Sequence, residues 1–215
     1  LQSIGGSKLT AISVSDDARV NLTYSQWANN PKPLDALHTA GADIGVTGVT
    51  VARLGEVVAD TAVEAITLAD TTANIQANLA SVLSNASHIT ALSLSGGSSL
   101  NISASQWANS ANTAFFDKVI TANPSFKFNL TGVSVDQAIG QYNSSIDPHI
   151  GTVAIADELD QIRGLIGSPT KLASIQSLGS AVTGITVASG TGGDPIAIRS
   201  GDLSSYGGVL AKISG

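Results

Sequence analysis

The chain has 215 residues, 43% of them hydrophobic and 12% charged, with a net charge of −6 and no cysteine. These values exclude a disulfide framework, a thiolate zinc site and a cysteine nucleophile, and the negative balance opposes the basic stripe that nucleic-acid binding requires. No apolar run approaches the ~18 residues of a membrane-spanning helix, and a mean hydropathy of +0.24 points to a folded chain rather than a disordered one.

Small polar residues set the character of the sequence: 28 Ser, 18 Thr and 22 Gly stand beside 10 Lys plus Arg. The chain opens at Leu1 without Met or a charged-then-apolar leader, as expected of a fragment or a processed form. From the N-terminus, Ile12-Ser-Val14 alternates as a strand, Asp16-Asp17 marks a turn, and Val20-Asn-Leu22 reads as a hairpin-like second strand. A helix then opens near Gln26. Val49-Thr-Val51 and Ile66-Thr-Leu68 repeat the strand alternation, with a short helix over 52–59 between them. Residues 72–84 place Ile75, Leu79, Val82 and Leu83 on one helical face, and Asp70, Thr71 or Thr72 can cap its first turn.

The pattern then starts again. Residues 9–29 and 89–109 align without a gap, identical at 10 of 21 positions, including the block Ser-Gln-Trp-Ala-Asn at 25–29 and 105–109. A finer apolar unit begins at Leu9, Val46, Val63, Ile89, Leu130, Ile150 and Val182, so the intervals 37, 17, 26 recur as 41, 20, 32. The second copy therefore predicts strands at Leu100-Asn-Ile102, Leu130 and Ile150. Its helices are expected near Gln106, over 136–143 and over 158–166, the last stopped by Gly167-Ser-Pro169. A third, diverged copy starts at Val182, with Ile196-Ala-Ile198 as its second strand and Leu203 where the tryptophan stood. The repeat units are thus 1–88, 89–181 and a truncated 182–215, one continuous array.

Strand, helix and strand over 17–32 residues is a crossover connection, which makes neighbouring strands parallel. The expected fold is α/β, either a tandem-repeat solenoid or an open, mostly parallel sheet with short helices. An all-β solenoid is the alternative, with the intervening segments as loops.

The phrases ITLADTTANIQANLASVL (66–83), ITALSLS (89–95) and SQWAN (105–109) resemble the strand-repeat units of large bacterial secreted and surface proteins, many of them exported by type I secretion. That resemblance spans nearly all of 9–215 and implies an extracellular or cell-surface, structural or adhesive role, with self-association or other surface proteins and glycans as partners. The glycine-rich calcium nonapeptide of such proteins is absent. The nearest match, Gly190-Thr-Gly-Gly-Asp194, runs into Pro195, so family calcium binding does not carry over to it.

Chemistry-bearing motifs are sparse. His88 and His149 occupy equivalent positions before Ile89 and Ile150 and read as loop residues at strand entrances, and His38 reads as a solvated helix-end residue. No nucleophile elbow or phosphate loop occurs. Asp70 and Asp157 are repeat equivalents at strand-to-helix junctions, where a carboxylate caps exposed N–H groups. Asp16 and Asp17, matched by Gly96-Gly97 in the second copy, are turn residues and the candidate ligands for a calcium ion. Trp27 and Trp107 share a repeat position and are either core anchors or stacking platforms for a sugar ring. The expectation is a non-enzymatic repeat segment that assembles a surface layer or filament or acts in adhesion. A carbohydrate- or ligand-binding module is the second reading, and a polysaccharide-acting enzyme the third.

Overall fold

The computed structural model describes residues 19–29, 36–142, 147–190 and 197–214, so the strand expected at Ile12-Ser-Val14 and the turn at Asp16-Asp17 lie outside the described residues. The chain divides into two units, Leu1–Gly97 with Ala111–Pro124, and Ser98–Ser110 with Ser125–Gly215. The architecture is α/β. Two open parallel sheets are each connected through helices, which sets aside the all-β alternative.

In the first unit four strands run β1 (Val20–Thr23), β2 (Ile44–Val49), β3 (Val63–Thr71) and β4 (Ile89–Ser95), in chain order and all parallel. Parallel neighbours force a crossover at every step. Helix α1 (Tyr24–Ala28) and a helical turn at 36–39 fill the first, α2 (Val51–Val58) the second, and α3 (Thr72–Ala77) with α4 (Leu79–Ser84) the third. The register aligns Leu22, Val46 and Ile66, and then Leu68 with Leu92. That row joins Leu54 and Val57 of α2 and Ile75 and Val82 of the third crossover in one core, most of it with no exposure at all. The other row, Thr23, Thr47, Thr67 and Ala91, stays partly or fully exposed.

The expected 72–84 helix is present as two pieces. At Asn78 the backbone leaves helical geometry (φ −121°, ψ 23°), and the side-chain amide donates to Asn74 O at 2.9 Å, competing with the backbone for an i−4 carbonyl. Ile75, Leu79 and Val82 nevertheless keep one buried face, and Leu83 is half-buried.

The second unit repeats the scheme with five parallel strands: β5 (Ser99–Ser103), β6 (Lys127–Val133), β7 (Ile150–Glu158), β8 (Val182–Ser189) and β9 (Ile213–Ser214). Helices α5 (Ala104–Ala108) and α6 (Ser110–Ala122) follow β5, and α7 (Val135–Tyr142) follows β6. Most of α6 belongs to the first unit, where Phe115, Phe116 and Val119 are buried and Lys118 Nζ donates to Ala86 O at 3.3 Å. After β7 come α8 (Leu159–Ile166) and α9 (Pro169–Ser177), and α10 (Ser200–Leu210) precedes β9. The core of this unit is built on Leu100, Ile102, Phe128, Leu130, Val153, Ile155 and Ile185.

Three expectations are corrected. First, β4 and β5 do not form a hairpin: β4 pairs with β3 and β5 with β6. The turn between them passes through Gly96 (φ +73°) and is held by Thr72, whose hydroxyl is shared between Ser95 O (3.2 Å) and Gly97 O (3.4 Å). Second, Gly167-Ser-Pro169 is a stop and a new start. Ser168 Oγ accepts from Lys171 N at 3.3 Å, and Pro169 takes the first helical position, where its missing N–H costs nothing. Third, no strand forms at 197–199. Both edges of β8 are taken, by β7 and β9, and Ile198 is 46% exposed.

Gly97 offers a test of this packing. An added Cβ would sit 2.9 Å from Cβ of buried Thr72, a β-branched residue with little room to yield. Gly97→Ala should destabilise the protein by about 1–3 kcal/mol, read as a lower urea midpoint with an unchanged slope.

Candidate functional site

Two features recur at the strand-to-helix junctions, and one occurs in the first copy alone. The recurrent features are caps. Thr23 and Gln26 exchange reciprocal hydrogen bonds at the start of α1, with Gln26 N donating to Thr23 Oγ1 (3.3 Å) and Thr23 N to Gln26 Oε1 (2.9 Å). Ser103 with Gln106 does the same for α5, and Ser134 with Gln137 for α7. These capping boxes satisfy N–H groups that a helix start leaves without partners.

The second recurrent device uses the strand-end aspartates. Asp70 stands just before α3, yet its Oδ2 accepts the backbone N–H of Val51, the first residue of α2, at 2.9 Å. Asp157 likewise accepts the N–H of Val135, the first residue of α7, at 2.8 Å. The other oxygens accept from the next backbone amide, Thr71 N (2.7 Å) and Glu158 N (2.9 Å). The capping role expected from sequence is therefore present but directed at the preceding crossover's helix. The cap of α3 itself is Thr71, which accepts from Asn74 N at 3.1 Å. At Asp70 partial desolvation raises the carboxyl pKa. Hydrogen bonds from Asn74 Nδ2 (2.6 Å), Val51 N and Thr71 N outweigh it and hold the group below its ordinary value.

The tryptophans share a repeat position but not an environment. Trp107 is half-buried against the fully buried Phe128, ring centroids 5.4 Å apart, and Phe126 continues the stack at 5.8 Å. Trp27 packs against Tyr24 at 5.7 Å with a 40° tilt and donates its indole N–H to Asp60 Oδ2 at 2.9 Å. Asp60 is fixed in turn by Ala62 N, which donates to Oδ1 at 3.0 Å. Tyr24 Oη donates to Glu56 Oε2 (3.1 Å), Arg53 Nη1 pairs with the same oxygen (3.3 Å), and the Arg53 guanidinium lies 5.7 Å from the Tyr24 ring centroid. Sequence reading singled out Trp27 and missed Tyr24, Arg53 and Glu56. Their signal was available as departures from the repeat, since Ala104, Gln137 and Gly140 hold the corresponding places.

The remaining candidates do not converge. His88 and His149 sit at strand entrances as expected, their carbonyls accepting from Ile66 N (3.0 Å) and Phe128 N (2.7 Å). The His149 ring lies 3.4 Å from Phe126 O, and His38 is exposed in the 36–39 helical turn. Asp147, before Pro148, accepts from His149 N and shapes a turn. Asp160 pairs with Arg163 at 3.5 Å, and Glu64 is exposed on β3. Asp16 and Asp17, the candidate calcium ligands, lie outside the described residues. Among the described residues no group of three or more His, Asp or Glu side chains is placed to hold a metal ion, and no helix is long and apolar enough to cross a membrane. A cleft of about 210 Å³ is lined by Ile175, Gln176, Gly179, Gly208, Val209 and Lys212. The Lys212 ammonium is already committed to Gly179 O (2.9 Å) and Val182 O (2.6 Å).

The two aspartate caps should differ in weight. Helix α2 has no side-chain cap of its own at Thr50, whereas α7 also has its capping box. Asp70→Ala should cost about 1–2 kcal/mol and Asp157→Ala less than half of that, measured by urea unfolding. Because Asp70 is held below its ordinary value of 3.8, its contribution is complete above that value and is lost as pH falls through the lower folded-state pKa. The stability gap between the parent protein and Asp70→Ala should therefore narrow on acidification below about pH 4.

Comparison with protein-family models, curated proteins and solved structures finds nothing that this chain matches.

Proposed function

We propose that this chain is a non-enzymatic repeat segment of a bacterial secreted or cell-surface protein, whose work is to extend or assemble a surface structure or filament, or to serve in adhesion. The observation that carries the reading is the strand order. In both sheets the order follows the chain and every pairing is parallel, so each further strand–helix step adds a strand, either beside its predecessor or, as at β5, opening a new sheet. The third copy adds β9 beside β8. The tandem duplication and the resemblance to strand-repeat surface proteins support the same reading.

Assembly of copies would use the sheet edges. Among the described residues β1 pairs only with β2, and β9 only with β8. Both therefore present backbone N–H and C=O groups that another strand can take. The exposed Leu203 (58%) and Ile198 lie near that second edge in sequence and add apolar surface. In this reading Asp16 and Asp17 are the candidate ligands for calcium, and glycans or other surface proteins are the partners.

Size-exclusion chromatography with light scattering over a wide concentration range, with calcium and then with chelator, tests the assembly role. The expected result is a mass that rises with concentration above the 21.6 kDa of one chain. Asn21→Lys, which puts a charge on exposed edge strand β1, should suppress the rise. A 21.6 kDa species under every condition overturns assembly.

A further inference from the structure

We propose that the Tyr24–Arg53–Glu56 patch of the first unit, with Trp27 beside it, is a binding subsite for a neutral glycan that presents vicinal hydroxyls. This goes beyond the scaffold role and stands or falls separately from it.

The first argument is that the fold does not need these residues. The second copy builds the same junction with Ala104 in place of Tyr24, and α5 still forms with its capping box. At the second helix of the patch the exchange is more telling. Gln137 closes the capping box of α7, and the first copy has Arg53 at that position. The first copy thus lacks a capping box in α2, where Thr50 makes no side-chain cap and only Asp70 holds the Val51 N–H, and it places a guanidinium over an aromatic ring. Replacing a stabilising cap with an exposed ion pair worth little in stability is a departure the packing does not call for.

The second argument is the chemistry left open. Tyr24 and Trp27 lie three residues apart on one face of α1, and Arg53 and Glu56 three apart on α2, so each pair projects together. Tyr24 Oη and Arg53 Nη1 converge on a single carboxylate oxygen, Glu56 Oε2. These contacts bring the three side chains together, with Arg53 57% and Glu56 50% exposed. Glu56 Oε1 remains to accept a hydroxyl proton, and the other guanidinium N–H groups remain to donate to a hydroxyl oxygen. A donor and an acceptor held side by side next to half-buried aromatic rings match a sugar, whose adjacent hydroxyls both give and take hydrogen bonds and whose C–H face is apolar.

Charge narrows the class. Glu56 and Asp60, with the chain's net charge of −6, oppose an anionic ligand. Asp60 is already occupied in orienting Trp27 and holding Ala62 N. A neutral oligosaccharide meets no such repulsion.

The test is a titration of Trp107→Phe, in which Trp27 is the sole tryptophan, with neutral hexaoses of α-linked glucose, β-linked glucose and N-acetylglucosamine. At least one should give a saturable change in Trp27 emission. Calorimetry on the parent chain with the same three sugars serves if Trp107→Phe does not fold. Arg53→Ala and Glu56→Ala should each weaken binding about tenfold, with unchanged circular dichroism and thermal midpoint. Tyr24→Phe keeps the ring but frees Glu56, and it should weaken binding by a smaller factor. Absence of a saturable signal with all three sugars at millimolar concentration overturns the proposal, as does binding indifferent to Arg53 and Glu56. Binding of polygalacturonate alone would also overturn it, because the subsite would then be anionic in specificity.

Discussion

Parallel pairing between strands that are adjacent in the chain is the constraint on which each unit rests. A strand that must lie parallel to its predecessor requires the chain to return to the same end of the sheet, and a helix is the cheapest return that leaves no backbone group without a partner. Right-handedness then sends successive returns to the same face. One sheet face becomes core, and the row through Thr23, Thr47 and Thr67 is left with small polar side chains. Threonine suits this geometry, because a β-branched hydroxyl residue fits a half-exposed pleat and can bond the neighbouring strand. Thr47, Thr90, Thr131 and Thr183 all donate to a carbonyl of the preceding strand, at 3.1–3.5 Å.

Much of this was legible in the sequence because the repeat supplied two readings of each element. Alternation at Ile66-Thr-Leu68 and helical spacing at Ile162, Leu165 and Ile166 are local signals, and each element they predict is present. Pairing is not local. The segments at 89–95 and 99–103 read as strands correctly, but the first pairs back to β3 and the second forward to β6, a choice that alternation does not encode, and Thr72 holds the turn between them. At 197–198, part of the strand expected at 196–198, apolar character likewise forms no strand. Asn78 is a third case, in which a polar side chain broke a helix whose apolar face was otherwise continuous.

The candidate site was less legible because its signal is a difference between copies. Shared residues such as Trp27 and Trp107 attract attention, yet the shared position has two uses: Trp107 lies on buried Phe128, and Trp27 belongs to a polar-aromatic cluster. The residues that distinguish the two, Tyr24, Arg53 and Glu56, are unremarkable in composition. They become informative only when set beside Ala104, Gln137 and Gly140 in a common register. Divergence within a duplicated scaffold separates what the fold requires from what it merely tolerates.

The aspartate at the end of each third strand has a consequence for the order of events on a growing or emerging chain. The N–H of Val51 is held by Asp70, nineteen residues later, and that of Val135 by Asp157, twenty-two later. A chain that appears from its N-terminus therefore carries a helix whose start stays open until the following strand has docked. For α7 the capping box bridges that interval; α2 has none and must wait. Helix α2 thus passes that interval with no side-chain cap at its start, and a pause in emergence between residues 58 and 70 would leave it open to local unwinding.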